Sequence, residues 1–206
     1  MVYCANMSAE VIYQRGQFNE SLAPEESLRP RIPVLVAGLP GKMASQVSEA
    51  LSSDDRFQLI TSAITSERHA AERETYVAGK RVFLATQVPF QSLIYHPGAI
   101  ALDFTTPGSV NTNAQRYVNA KIPFVMGTSG GDRERLEDTV RESKISAVVA
   151  PNIDPQVLDS QMGIDEIVQR KVRGSLMAIE FLDRQMRSGS RGQVFSMADV
   201  LRGQSS

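Results

Sequence analysis

An apolar run, Pro33-Val-Leu-Val-Ala37, stops at Gly38, and the next residues, Gly38-Leu-Pro-Gly41-Lys-Met-Ala44, lead into helical spacing. A short apolar run closed by glycine is the pattern of a strand buried on both faces. From Lys42 to Leu51, residues Met43, Val47, Ala50 and Leu51 share one side, which predicts a helix laid back over that strand. The turn between them has the spacing G-x-x-G-x-x-A, and that spacing has a chemical meaning. A pyrophosphate is held by unpaired backbone N–H groups at the positive end of a helix dipole, with no Cβ in the way. Gly38 allows the tight turn, Gly41 the close approach, and the small Ala44 lets helix and strand touch. Lys42 adds positive charge and Met43 shares the first turn, while Pro40 withholds one N–H donor.

The alternation continues downstream. Phe57 to Ile64 predicts a second strand, Lys80 to Ala85 a third, and Ala99-Ile-Ala-Leu-Asp-Phe104 a fourth, followed by a helix over Ser109 to Ala120. Pro123-Phe-Val-Met126 is a strand running into Gly127, Asp132 to Ser143 a charged helix, and Ser146 to Ala150 the last strand. Strands and helices joined by short connections predict an α/β fold, a Rossmann-like doubly wound parallel sheet with right-handed crossovers. After Pro151 the strand signals stop. Asp154-Pro155 reads as a helix start with Asp as N-cap, and Val157, Leu158, Met162, Ile164, Ile167 and Val168 as its buried face, with Gly163 weakening the middle. A second helix is expected over Ser175 to Met186, and Ser196-Met-Ala-Asp199 has the form of a capping box opening a last short helix, Met197 to Leu201. The chain thus divides into a polar tail over residues 1–30, a dinucleotide-binding domain over 31–152, and helices over 153–206 that pack on the sheet and complete it.

Charge and rare residues narrow the functions. A net charge of −1 gives no surplus of Lys and Arg with which to hold nucleic acid. No apolar run approaches the roughly 18–20 residues that cross a bilayer. Cys4 is the sole cysteine, and His69 and His96 are the only histidines, so neither an internal disulfide nor a Cys/His metal centre is expected; a reducing compartment fits. At the end of the second strand, where such a turn usually finds an acidic partner for the ribose hydroxyls, the chain reads Thr61-Ser-Ala-Ile-Thr-Ser66, with Glu67, Arg68 and His69 beyond. Hydroxyls beside an arginine suit a 2′-phosphate, hence NADP, slightly better than NAD. The same residues also read as a solvated loop, and the choice between NADPH and NADH stays open.

Two further stretches sit at strand carboxyl ends, where open α/β sheets bind ligands: Leu102-Asp-Phe-Thr-Thr-Pro-Gly-Ser-Val110 and Pro123-Phe-Val-Met-Gly-Thr-Ser-Gly-Gly-Asp-Arg133. This pair, in this order after the glycine turn, resembles the dihydrodipicolinate reductases of lysine biosynthesis, and the second stretch is similar to the plant-type branch. Val149-Ala-Pro-Asn152 resembles the family's next signature, and Val194-Phe-Ser-Met-Ala-Asp-Val-Leu-Arg202 that branch's ending. The resemblance implies a cofactor, NADPH or NADH, with Gly38, Gly41 and Lys42 at the phosphates and Met43 beside them. It puts Phe104 and Thr105 at the middle of the cofactor, Gly127, Thr128 and Ser129 on the nicotinamide side, and Asn152 near the hinge. Backbone amides and small hydroxyls can orient a carboxamide without crowding the ring. Taken singly, Asp103, Thr105 and Thr128 also read as ordinary strand-end caps.

The resemblance has a gap. A working member carries a second domain, built on a β-sheet and inserted after the position of Asn152. That domain supplies a histidine pair, a lysine and a Ser-Gly-Thr turn to a dicarboxylate substrate, and tetramers assemble through it. Here no histidine follows His96, no Ser-Gly-Thr sequence occurs, and Ile153 to Arg173 reads as helix. The downstream basic cluster Arg170, Lys171 and Arg173 reads as solvated charge near a helix end, and His69 and His96 lie in predicted loops. No catalytic residue and no metal site is therefore assigned.

The motifs and the gap together predict a degenerate reductase-like protein: a domain that binds NAD(P)H and serves as a non-catalytic binding, scaffold or assembly subunit. The alternative is an NAD(P)H-dependent reductase of 4-hydroxy-tetrahydrodipicolinate in lysine biosynthesis. The plant family offers a precedent for the first, a reductase-like factor that assists assembly of a photosynthetic complex. The expected partner is a larger protein complex, met by the 1–30 tail or the C-terminal helices, the family tetramer is in doubt, and the compartment is the cytoplasm or the plastid stroma.

Overall fold

Five of the six residues of β1 (Ile32–Ala37) are buried, as a strand covered on both faces requires. In this computed structural model, which describes residues 30–151 and 163–204, β1 passes through the Gly38–Gly41 turn into α1 (Lys42–Ser53). Cys4 and nearly all of the 1–30 tail, together with Asn152 and the helix start at Asp154-Pro155 with Val157, Leu158 and Met162, lie outside the described residues.

The single strand expected over Phe57–Ile64 is two, β2 (Phe57–Leu59) and β3 (Ser62–Ile64), both parallel to β1. Val34 faces Leu59 but Ala37 faces Ile64, so the longer partner must bulge at Ile60 and Thr61. β4 (Glu74–Val77) and β5 (Lys80–Ala85) then form an antiparallel hairpin, turning at Ala78 and Gly79 with φ of 47° and 75°. The parallel sheet read from the sequence thus carries one antiparallel strand, β4, at its edge. β4 escaped notice because it is an edge strand with only Val77 buried, and so carries no apolar run.

Next come α2 (Phe90–Ile94), the fully buried β6 (Ile100–Asp103), a 3₁₀ turn at Pro107–Ser109, and α3 (Val110–Ala120), which ends at a left-handed Lys121. Beyond them lie β7 (Phe124–Met126), α4 (Arg133–Arg141) and β8 (Ala147–Val149), with the Asp132 side chain capping α4 by accepting from the Arg135 N–H. The two helices expected around Asp154–Val168 and Ser175–Met186 are one over the described residues, α5 (Ile164–Arg187). Gly174 and Ser175 interrupt the apolar pattern but not the helix: both are buried, and the Ser175 hydroxyl donates to the Lys171 carbonyl at 2.7 Å. Arg170, Lys171 and Arg173 consequently sit mid-helix, not near an end.

Strands do not stop at Pro151 either. β9 (Val194–Phe195) pairs parallel to β8, and α6 (Met197–Arg202) opens with the expected capping box between Ser196 and Asp199. The sheet runs β4-β5-β3-β1-β6-β7-β8-β9, with β2 beside the start of β1. One apolar layer joins α1, α5 and α6 to the Val34/Val36 side of β1; the other joins α3 and α4 to its Leu35/Ala37 side. The sheet is doubly wound, with the C-terminal helices packed on it. Among the described residues no helix is long and apolar enough to cross a membrane, and no His/Cys/Asp/Glu group could hold a metal ion.

Candidate functional site

Reversal of strand order beside β1 opens a crevice at the carboxyl edge of the sheet, the usual ligand position in such folds. A cleft of about 590 Å³ lies there, walled by Gly38 and Gly41, by Ile64–His69 after β3, by Thr86 after β5, and by Phe104–Thr106, Asn113 and Arg116. Gly38 has φ +111°, and a Cβ there would stand 2.4 Å from the Phe104 carbonyl oxygen. A Cβ on Gly41 would stand 2.6 Å from the Gly38 carbonyl oxygen. Both glycines are thus required by the turn itself, and both leave the cleft wall as bare backbone. Thr65 fixes the turn from the neighbouring strand, its hydroxyl donating to the Leu39 carbonyl at 2.6 Å. Gly41 caps α1 without a side-chain hydrogen bond, so the first-turn N–H groups have no partner of that kind. A pyrophosphate fits this cradle: bare N–H donors, a helix dipole and no side chain in the way.

Of the sequence-predicted residues, the fold brings Gly38, Gly41, Phe104 and Thr105 together on the cleft. Lys42 is exposed at the start of α1, and the Met43 side chain packs against the core beneath that helix. Gly127 lies under the Phe104 ring, where a Cβ would come within 2.4 Å of the ring edge. Thr128 is buried and Ser129 is exposed on the turn after β7.

Below the cleft floor lies a group that the sequence reading treated only as a strand-end cap. Asp103 is fully buried at the end of β6. Its Oδ1 accepts from the Thr105 N–H at 2.9 Å, the Thr105 hydroxyl at 2.6 Å and the Thr128 hydroxyl at 3.1 Å. Its Oδ2 accepts from the Asn113 amide at 2.9 Å and the Tyr117 hydroxyl at 2.7 Å. A buried carboxylate needs such donors to offset its lost hydration. Burial, and then the Asp103 charge, push the Tyr117 phenol well above its ordinary value, so it stays a donor. The Thr105 and Thr128 hydroxyls face this carboxylate, which ties the loop after β6 to the loop after β7. The one signal for it in the sequence is an acid closing an otherwise wholly apolar run, Ala99-Ile-Ala-Leu-Asp103. Asn113 and Arg116, one turn apart on α3, also escaped the sequence reading. Arg116 Nη1 donates to Asn113 Oδ1 at 3.2 Å along α3 and to the Thr86 carbonyl at 3.4 Å, the latter a contact that exists only once α3 meets the end of β5.

Residues 32–153 match the family model described as dihydrodipicolinate reductase, N-terminus. The chain is 36% identical over 132 residues to 4-hydroxy-tetrahydrodipicolinate reductase 2, chloroplastic, of Arabidopsis thaliana, covering 62% of this chain and 37% of that protein. It is 36% identical over 131 residues to the probable chloroplastic reductase 2 of Oryza sativa subsp. japonica, covering 61% of this chain and 40% of that protein. The chain therefore spans about two-fifths of the length of these relatives. A dipicolinate-bound dihydrodipicolinate reductase from Paenisporosarcina sp. TG-14 superposes with a TM-score of 0.47 at 18% identity, covering 71% of this chain and 67% of that one. With the glycine turn, the Leu102–Val110 loop and the Pro123–Arg133 loop all inside the matched span, the chain belongs to the dihydrodipicolinate reductase family, in its plant-type branch.

Proposed function

We propose that the cleft binds NADPH or NADH and that the protein works through that binding, as a non-catalytic scaffold or assembly subunit. The observation that carries this reading is a formed phosphate cradle combined with the short connection after β8. Gly38 and Gly41 present bare backbone at the cleft, whereas only residues 150–163 separate β8 from α5, and α5 goes back to cover the sheet.

Hydride transfer from a reduced nicotinamide requires an acceptor held at van der Waals range and its developing charge stabilised. Two substrate carboxylates require cations or N–H groups to match. Arg170, Lys171 and Arg173 lie within α5, and Arg170 approaches Glu166 at 3.7 Å. His69 stands at the Ser66–Arg68 end of the cleft, bonded to Glu72, and His96 is bonded to the Ser92 carbonyl. Neither arrangement supplies a cation on the Thr128 side. Partner contacts in this reading fall to residues 1–30 or to the helices after residue 153, with a larger protein complex on the other side. The chloroplast named for the plant relatives supports the plastid stroma as the compartment.

A second reading, an NAD(P)H-dependent reductase of 4-hydroxy-tetrahydrodipicolinate, is favoured by the names of relatives that share 36% identity with the matched region. Titration with NADPH and NADH, followed by nucleotide fluorescence, tests the binding. Complementation of a reductase-deficient bacterium, with nucleotide oxidation in the presence of the substrate, tests the chemistry. Binding without complementation or oxidation is the expected result. Complementation with oxidation decides for the reductase, and failure of both nucleotides to bind overturns both readings.

A further inference from the structure

The sheet ends at β4 on one side and at β9 on the other. β9 has two residues and lies beside α4, whereas β4 offers four. Antiparallel pairing fixes which backbone groups of β4 are already engaged. The Leu84 N–H donates to the Arg73 carbonyl at 2.9 Å, and bonded pairs recur at every second residue, so Thr75 with Val82 and Val77 with Lys80 are bonded pairs too. Glu74 and Tyr76 therefore turn both their N–H and their C=O groups outward, and among the described residues no strand lies beyond them. Edges are usually blunted by proline, lysine or a bulge. Glu74–Val77 has none of these, and its one charge, Glu74, leans toward Arg81 at 3.7 Å.

The surface beside this edge is apolar. Val77 and Val82 are buried in the α1 layer, and alternation puts Tyr76 and Phe83 on the opposite face, where they are 66% and 49% exposed. α2 meets that face at β3, through the Ser92 and Ser62 hydroxyls 2.7 Å apart, and leaves Tyr76 and Phe83 uncovered. Charge is polarised along the edge. The approach to it, Glu72–Glu74, carries two carboxylates and one arginine, and the far side of its turn carries Lys80 and Arg81. Laid antiparallel against itself, the edge brings its acidic start beside the basic turn of a second copy; a parallel pairing would set like against like. The outward backbone groups match in the same orientation. With Thr75 on a two-fold axis, Glu74 of each copy stands opposite Tyr76 of the other, and both are bonded pairs.

We propose that β4 pairs antiparallel with β4 of a second copy of this chain, about a two-fold axis at Thr75, and so joins two sheets into one. The pairing does not depend on the nucleotide reading above. Two four-residue edges bury less than a standard interface of about 1,200–2,000 Å², so the dimer is reversible and dissociates in the micromolar range.

Sedimentation equilibrium of the full chain over a concentration series, with amide exchange read residue by residue, tests this. A monomer–dimer equilibrium is expected. Protection of the Glu74 and Tyr76 amides should rise with concentration, while the Thr75 and Val77 amides, bonded to β5, stay protected throughout. Tyr76→Pro deletes an outward donor without removing a bond to β5, and should leave the chain monomeric. Glu74→Lys should weaken the dimer several-fold, and adding Arg81→Glu should restore it, since the swap also keeps the contact between positions 74 and 81 within each copy. Should Tyr76→Pro fail to melt cooperatively, Glu74→Lys and the swapped pair still decide. A monomer at every concentration overturns the proposal. So does a dimer that Tyr76→Pro and Glu74→Lys leave unchanged, which puts the contact on another face. Glu74 and Tyr76 amides protected equally at every dilution also overturn it, because the edge is then covered from within its own chain.

Discussion

Asn111 and Asp132 exchange two hydrogen bonds of 2.7 Å each: the Asn111 amide donates to the Asp132 carbonyl, and the Asp132 N–H donates back to Asn111 Oδ1. The exchange fastens the turn after β7 to the first turn of α3. Gly131 fits under it only for want of a side chain, since a Cβ there would stand 2.7 Å from Asn111 Oδ1. Gly130 meets Pro107 in the same way, at 2.6 Å. With the Asp103 bonds to Thr105 and Thr128, these contacts make one rigid shelf of two loops. Asn111→Ala removes both bonds at an exposed position and should cost about 1–2 kcal/mol. Hydrogen exchange of the 129–132 amides should rise in step; unchanged protection would show that the glycine packing alone holds the turn.

Gly38→Ala should be far more damaging than an ordinary glycine replacement. Its new Cβ would meet the Phe104 carbonyl oxygen at 2.4 Å and the carbonyl carbon at 2.7 Å, at a φ of +111°, with backbone that cannot rotate away. We expect a loss of about 2–4 kcal/mol. Gly79→Ala is the control, because its φ is +75° but nothing lies within 4 Å of the added Cβ. That change should cost about 1 kcal/mol, for conformation alone. Urea midpoints compare the two, and equal shifts would remove close approach as the cause.

Tyr117 makes stability sensitive to alkali. Its phenol is pushed upward by burial and by the Asp103 carboxylate, so the folded chain keeps a proton that the unfolded chain releases near pH about 10. The stabilisation is whole below that pH and drains away as pH rises above it. Tyr117→Phe leaves Asp103 with its other donors, should cost about 1–3 kcal/mol at neutral pH, and should flatten the alkaline decline. Urea titrations at neutral pH and above about pH 10 measure both. A decline equally steep in both proteins would mean that the phenol titrates alike in the folded and unfolded chain.

The last helix has an acid-sensitive lock. The Ser196 hydroxyl, then the Ser196 N–H and Arg202, hold the Asp199 carboxyl below its usual range. A lowered carboxylate stabilises above the ordinary value of about 4 and loses that contribution as pH falls through the folded value. Ser196→Ala should cost about 1 kcal/mol at neutral pH, and the gap to wild type should narrow in acid to the part that the Asp199 N–H bond to the Ser196 hydroxyl supplies. Thermal melting at both pH values checks this; a gap independent of pH would point to packing of α6 instead.

Strands buried on both faces are written as unbroken apolar runs, which is why β1, β6, β7 and β8 were legible from residues such as Val34–Ala37 and Phe124–Met126. β4 was not, because Glu74 and Tyr76 point outward from an edge, and β9 is too short at Val194–Phe195 to leave a pattern. In the site, Gly38 and Gly41 announce themselves locally, since one turn makes the whole requirement. Asp103 and Arg116 do not. Of their partners, Asn113 and Tyr117 meet Asp103, and Thr86 meets Arg116, only after α3 docks on the sheet, and Thr128 meets Asp103 only when β7 lies beside β6.

The chain leaves β8 at Val149, and from Ile164 onward α5 rests on α1, β6, β7 and β8, with the final strand zipped along β8. Lengthening such a departure costs only logarithmically in chain entropy. α5, α6 and β9 roof the sheet by themselves, so extra chain inserted between β8 and α5 should leave the packed body intact.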